Sequence, residues 1–228
     1  MQGHRARATR WGVVAAVVAA SLGMSPLGAS AAGGQEARSL GVGNPPTVAL
    51  TFDDGPSPWT PALLDTLRYY GVPATFFAIG ANAARYPDVV RRTVAEGHSV
   101  GGHTWTHPRL TSLGNDAIRA QVGETDRYLE SLTGRTVSCV RPPYGLRNSR
   151  VLSIFGDLGV NSLMWSVDAR DWERPPASVI AARVLARTQP GSIILLHDGG
   201  GDRSQTIAAV PMIIEGLRAR GYSFTSVC

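Results

Sequence analysis

Two histidines lie four residues apart in His103-Thr104-Trp105-Thr106-His107. On a helical turn an i, i+4 pair presents both imidazoles on one side, which is a metal-ligand spacing. A histidine pair by itself is more often solvated or satisfied in a core, so a third ligand is required. Asp53-Asp54 supplies two carboxylates, and the following Gly55-Pro56 ends their strand so that they can point differently. One carboxylate with two histidines leaves a coordination position open, as in catalytic rather than structural sites. The other carboxylate would then stand beside bound water as a base. Alone, Asp-Asp-Gly-Pro is ordinary turn chemistry.

These residues must be held by something, and the pattern around them supplies it. Strands are expected at 47–52, 74–79, 99–102, 137–141, 162–167, 192–197 and 223–227, where apolar or β-branched runs are short. Between them 61–70, 87–96, 115–132, 149–158, 176–188 and 207–220 have helical period, and several end at glycine. Alternation of this kind argues for a parallel α/β sheet. An open dinucleotide-binding sheet would need a glycine-rich turn after its first strand, where this chain has two aspartates. A distorted TIM-like (β/α) barrel of seven strands is therefore expected. Asp53 and Asp54, His103, Arg141, Asp168 and Asp171, and His197 and Asp198 each follow a strand end, where barrel chemistry gathers.

Three more segments complete the set: Val140-Arg141-Pro142-Pro143-Tyr144-Gly145, Asp168-Ala169-Arg170-Asp171-Trp172 and Leu195-Leu196-His197-Asp198. In this order the five motifs resemble the polysaccharide deacetylases with a NodB-homology domain, carbohydrate esterase family 4, over about 47–224. The resemblance implies removal of N-acetyl groups from N-acetylglucosamine units of an extracellular polysaccharide, with acetylxylan esterase chemistry as the alternative on the same fold. It implies Asp53 as base, and Asp54, His103 and His107 as ligands of a divalent metal; two nitrogens and one oxygen suit zinc (Zn2+) first, with cobalt, nickel or manganese after it. It also implies His197 as general acid tuned by Asp171, and Arg141 as holder of the base. Tyr144 would give an oxyanion donor through its backbone N–H, and Trp172 and Leu195 would wall the acetyl pocket. One departure stands out: where some members carry a basic residue that pairs with the histidine-tuning aspartate, this chain has Pro73. His98 and Asp198 are read as structural.

Two rivals follow from the same residues. Gly97-His98-Ser99-Val100-Gly101 fits the G-x-S-x-G nucleophile elbow of serine esterases, with Asp168 or Asp171 and His197 in the right chain order. The residues before Ser99 have helical rather than strand period, and glycine and proline break any helix after it. A glycan-binding scaffold without chemistry is the second, although each of Asp53, Asp54, His103, His107 and His197 is present.

Composition bounds the rest. All 22 basic residues are arginine, which excludes a Schiff-base or P-loop lysine. Residues 1–31 read as a signal peptide: Arg5, Arg7 and Arg10 precede an apolar run from Trp11 to Met24, and Ala29-Ser30-Ala31 offers a cleavage site. Without that segment 19 arginines face 17 acids, so the charge gives no support to a nucleic-acid partner. A glycine- and proline-rich linker is expected over 32–46 and the deacetylase domain over 47–228. A secreted or cell-wall-associated monomer is expected, with a polysaccharide as partner and no membrane anchor after cleavage. Export would let Cys139 and Cys228 form a disulfide, and a buried free thiol at Cys139 is the alternative.

Overall fold

The computed structural model describes Met1, Glu36–Ala37, Leu40 and residues 45–228, so the expected signal peptide lies outside the described residues apart from Met1. The strands are β1 (Glu36–Ala37), β2 (Thr47–Asp53), β3 (Thr75–Ala78), β4 (Ser99–Gly102), β5 (Cys139–Val140), β6 (Asn161–Leu163), β7 (Val167–Asp168), β8 (Ile193–His197) and β9 (Ser223–Phe224). Their order is β1-β6-β5-β4-β3-β2-β8-β7, with β9 on the start of β2, and each pairing is parallel. The sheet curls into a distorted (β/α) barrel. The run expected as one strand over 162–167 is split: β6 bonds to β5, β7 bonds to β8, and the chain crosses between them at 164–166.

The helices are α1 (Thr60–Tyr70), α2 (Gly80–Arg85), α3 (Pro87–Ala95), α4 (Asn115–Thr133), α5 (Ser149–Asp157), α6 (Ala177–Arg187) and α7 (Ser204–Arg218). Proline at the start of α1 costs no hydrogen bond there, and Gly71 at φ 59° closes it in the left-handed conformation that glycine adopts freely. Among the described residues no helix is long and apolar enough to cross a membrane.

Strand alternation sorts the core into two layers. Val48, Leu50 and Phe52 of β2 face outward with Ile194 and Leu196 of β8, and pack under α1, α6 and α7. Truncating one of these, as in Leu50→Ala, is expected to cost about 2–5 kcal/mol. Ala49 of β2 and Ile193 of β8 face inward with Phe77, Cys139 and Val227. The same parity carries Asp53 and His197, the last residues of β2 and β8, to the inner side of the barrel mouth. Cys139 of β5 and Cys228 form a disulfide, with their Cα atoms 5.7 Å apart.

Candidate active site

The ten residues singled out from the sequence converge on one end of the barrel. Eight of them line a single cleft of about 470 Å³, and Arg141 and Asp171 stand behind it. Trp165 and Asp168 also line it.

Arg141 is fully buried inside the barrel, its guanidinium 4.1 Å from the ring centroid of Phe77. It donates to Asp53 Oδ1 and Thr51 Oγ1, each at 2.8 Å, to Leu163 O at 3.0 Å and to Met164 O at 3.2 Å. A buried cation is tolerable only when paired and hydrogen-bonded in this way. Its grip leaves Asp53 Oδ2 turned to the cleft, 3.8 Å from His103 Nε2.

Asp54 leaves the strand at φ 73°, so the two neighbouring carboxylates diverge as the sequence suggested. Its carbonyl accepts from Asn82 Nδ2 of α2 at 2.8 Å. The expected helical turn at 103–107 is not formed. This segment is a loop in which Thr104 and His107 are left-handed, with φ 65° and 61°. Gln121 of α4 holds it, accepting from the N–H groups of Trp105 and Thr106 at 2.9 Å each. The imidazoles still meet, with ring centroids 4.8 Å apart.

The donor set fits a metal ion. Asp54 Oδ1 is buried and accepts no hydrogen bond. His103 Nε2 and His107 Nε2 lie 3.4 and 3.3 Å from it, and the three ligand atoms fall within 4.8 Å of one another. His103 Nδ1 is 2.6 Å from Arg141 O, a carbonyl that can only accept, so the proton sits on Nδ1 and the Nε2 lone pair faces Asp54. Burial alone would raise the Asp54 carboxyl, but the adjacent His103, with His197 and His107, holds it well below the usual carboxylate range. Burial, then the neighbouring His103, lowers His107, the direction that favours the neutral ring a ligand needs.

Across the cleft His197 Nδ1 is 2.7 Å from Asp171 Oδ1. Asp171 Oδ2 accepts from the His197 backbone N–H at 2.9 Å and from Thr206 Oγ1 at 2.8 Å. Thr206, in the first turn of α7, thus orients an aspartate that sequence reasoning left with Pro73 and no second partner. Tyr144, at φ 58°, and Trp172 stand at the mouth, while Leu195 is buried in the wall.

The serine-esterase rival fails on position. Ser99 begins β4 opposite Thr75 of β3, three strands away from His197, which ends β8. Helix α3 precedes it where an elbow needs a strand, and a loop follows where an elbow needs a helix. His98 is structural: its buried Nδ1 accepts from Ala74 N at 3.1 Å.

Comparison with known proteins agrees with this geometry. The chitooligosaccharide deacetylase of Sinorhizobium fredii is 44% identical over 194 residues, which are 80% of this chain and 90% of that protein. The peptidoglycan-N-acetylglucosamine deacetylase of Listeria monocytogenes is 38% identical over 79% of this chain and 38% of its own length. A solved peptidoglycan N-acetylglucosamine deacetylase superposes with a TM-score of 0.81 at 37% identity, covering 85% of this chain and 91% of that one. The profile described as polysaccharide deacetylase matches residues 41–163. With more than half of its length matched and relatives this similar, the chain belongs to the polysaccharide deacetylase family, hydrolases acting on carbon–nitrogen bonds other than peptide bonds.

Proposed function

We propose that this chain is a metal-dependent hydrolase that removes N-acetyl groups from N-acetylglucosamine residues of an extracellular polysaccharide of peptidoglycan or chitin type. One observation carries the reading. A three-donor set, a carboxylate gripped by arginine and an imidazole gripped by carboxylate share a single cleft.

A divalent cation bound by Asp54, His103 and His107, zinc first and cobalt, nickel or manganese after it, supplies Lewis-acid polarisation and lowers the pKa of a ligated water. Asp53, with Oδ1 held by Arg141, accepts the nucleophile's proton on Oδ2. The Tyr144 backbone N–H donates to the carbonyl oxygen as charge develops there. Trp172 and Leu195 enclose the acetyl group. His197 releases its Nε2 proton to the departing amine while Asp171 holds Nδ1.

Export is part of the proposal, with a signal peptide over 1–31, a connecting segment over 32–46 whose Glu36–Ala37 joins the sheet as β1 beside β6, and the catalytic domain over 47–228. The Cys139–Cys228 disulfide supports it, because such bonds persist in oxidising compartments. The relatives named for chitooligosaccharide and peptidoglycan deacetylation support the substrate class. The enzyme acts as a monomer, secreted or on the cell wall. The test is acetate release from peptidoglycan, chitooligosaccharides and acetylated xylan side by side, with and without a chelator. No acetate from either N-acetylated polymer would refute the reading.

A further inference from the structure

The cleft mouth carries two exposed aromatic rings, Tyr144 at 57% and Trp172 at 48% exposure. Each has an arginine against it. The Arg109 guanidinium carbon lies 4.9 Å from the Tyr144 ring centroid, and that of Arg170 lies 5.4 Å from Trp172. The two cations are not equivalent. Arg170 donates twice to Glu173 Oε1, at 3.1 and 2.5 Å, so its charge is compensated. Exposed Arg109 has no carboxylate or carbonyl partner for its guanidinium among the described residues.

Arg109 is nevertheless fixed in place. Next to it Leu110 is fully buried, and Ser112 Oγ donates to Arg109 O at 2.7 Å. Arg150 clamps the same loop through Leu113 O at 2.7 Å and Thr111 O at 3.1 Å. Stacking uses the face of a guanidinium and leaves its in-plane N–H fork free, the geometry that grips a carboxylate. The acids nearby are otherwise engaged: Asp53 by Arg141 and Asp171 by His197. Asp168 belongs to the opposite lip, where its Oδ1 accepts from the Arg170 N–H at 2.8 Å. The Tyr144 lip is therefore the cationic side of the cleft.

We infer that Arg109, braced on Tyr144, makes the cleft selective for N-acetylated glycans that carry a carboxylate on the sugar next to the one deacetylated, over neutral glycans. The inference rests on the deacetylase reading above and narrows its substrate class. Arg109 touches the neighbouring sugar and not the reacting atoms, so its effect belongs in KM and in the salt dependence of association.

The test compares three probes on the full metal-loaded chain: an oligomer alternating N-acetylglucosamine with a 3-O-lactyl sugar, the same oligomer with its carboxyls methyl-esterified, and neutral chitotetraose. For Arg109→Gln, KM on the acidic oligomer should rise on the order of 3- to 10-fold with kcat unchanged, and on the ester and chitotetraose by less than about 2-fold. Arg109→Lys, which keeps charge and loses the fork, should fall between. Salt should weaken only the acidic oligomer with the wild type, and no longer with Arg109→Gln. Equal effects on all three probes overturn the inference. Equilibrium binding of acid and ester forms to the His197→Ala chain, which needs no turnover, separates the two readings. An acid preference that requires Arg109 supports this inference even if no glycan releases acetate, a result that would sink the deacetylase reading. Equal binding of acid and ester overturns this inference even if both are deacetylated.

Discussion

Asp53 and His197 are paired across adjacent parallel strands: in the register of β2 on β8 their Cα positions are partners, so both side chains enter the mouth of the barrel on the same level. Each is then held from behind by a buried partner of opposite charge, Arg141 for the one and Asp171 for the other. The residues proposed as proton acceptor and proton donor thus stand side by side at the mouth of the barrel.

The donor role proposed for His197 is separable from a packing role. An amine leaves a tetrahedral intermediate poorly unless protonated, whereas an alkoxide leaves with less help. His197→Ala is expected to lose N-acetyl hydrolysis by a factor within the roughly 10²- to 10⁴-fold range of general acid catalysis, and to lose hydrolysis of an activated O-acetyl ester by much less. Metal content should not change. Parallel kcat measurements on the two substrates decide it, and equal losses would remove the acid role.

The pH profile follows from the same pair. Burial alone would lower the His197 imidazolium, but the Asp171 hydrogen bond and charge, with Asp53 and Asp54, raise it to about 9. In the proposed mechanism the protonated ring is the acid, so amide hydrolysis should hold through neutral pH and fall as pH rises through about 9. Stability carries the same sign: the raised value contributes fully below the ordinary 6.5 and is lost as pH rises through about 9. Asp171→Asn should bring the alkaline limb of kcat down towards the ordinary imidazole range, and Thr206→Val should move it less in the same direction. A limb that stays at about 9 in Asp171→Asn would assign it to another group.

The donor set makes a prediction that needs no substrate. The wild-type chain should take up one zinc ion, and a His103→Ala, His107→Ala chain should lose both the metal and acetate release. Metal analysis after dialysis against a weak chelator measures it. A double variant that kept its metal and activity would show that the ligands lie elsewhere.

How much of this was written in the sequence differs by residue. Asp53 and His197 were legible because strand ends can be read from alternation, and barrel strands direct their last residues to one end. The helix α2 was not, since Gly80–Arg85 is too short for a helical period to register. The split between β6 and β7 was hidden because Ser162-Leu163-Met164-Trp165-Ser166-Val167 is one continuous β-prone run. Trp165 reaches the cleft only because the chain crosses there between two partner strands, and no local pattern announces that. The 103–107 segment had the right residues and the wrong local shape, because its left-handed turns depend on Gln121 from a distant helix. Thr206 is an ordinary helical threonine until the fold sets it against Asp171.

Asp198, beside His197, supplies the last prediction. Its carboxyl is buried against Gly55, where an added Cβ would lie 2.1 Å from Asp198 Oδ2. Thr60 Oγ1 donates to that oxygen at 2.6 Å, the Ser57 hydroxyl donates to the Asp198 carbonyl, and Asp198 N donates to Asp53 O at 3.0 Å. The residue therefore ties the loop carrying Asp53 and Asp54 to the end of β8. Burial, with the charges of Asp54 and Asp53 and against the Thr60 hydrogen bond, pushes its carboxyl up to about 7. An unfolded aspartate loses its proton near 3.8, so between there and about 7 the native state binds the extra proton and stability falls as pH rises. Asparagine has the shape of the protonated acid and cannot ionise. Asp198→Asn should lose this pH slope and gain on the wild type at pH 8 relative to pH 5, measured by urea unfolding at both. Asp198→Ala leaves the Thr60 hydroxyl without its acceptor and should cost about 1–3 kcal/mol at either pH. If Asp198→Asn kept the wild-type slope, the proton taken up on folding would belong to a different carboxyl, and the role of Asp198 would reduce to the hydrogen bonds it makes.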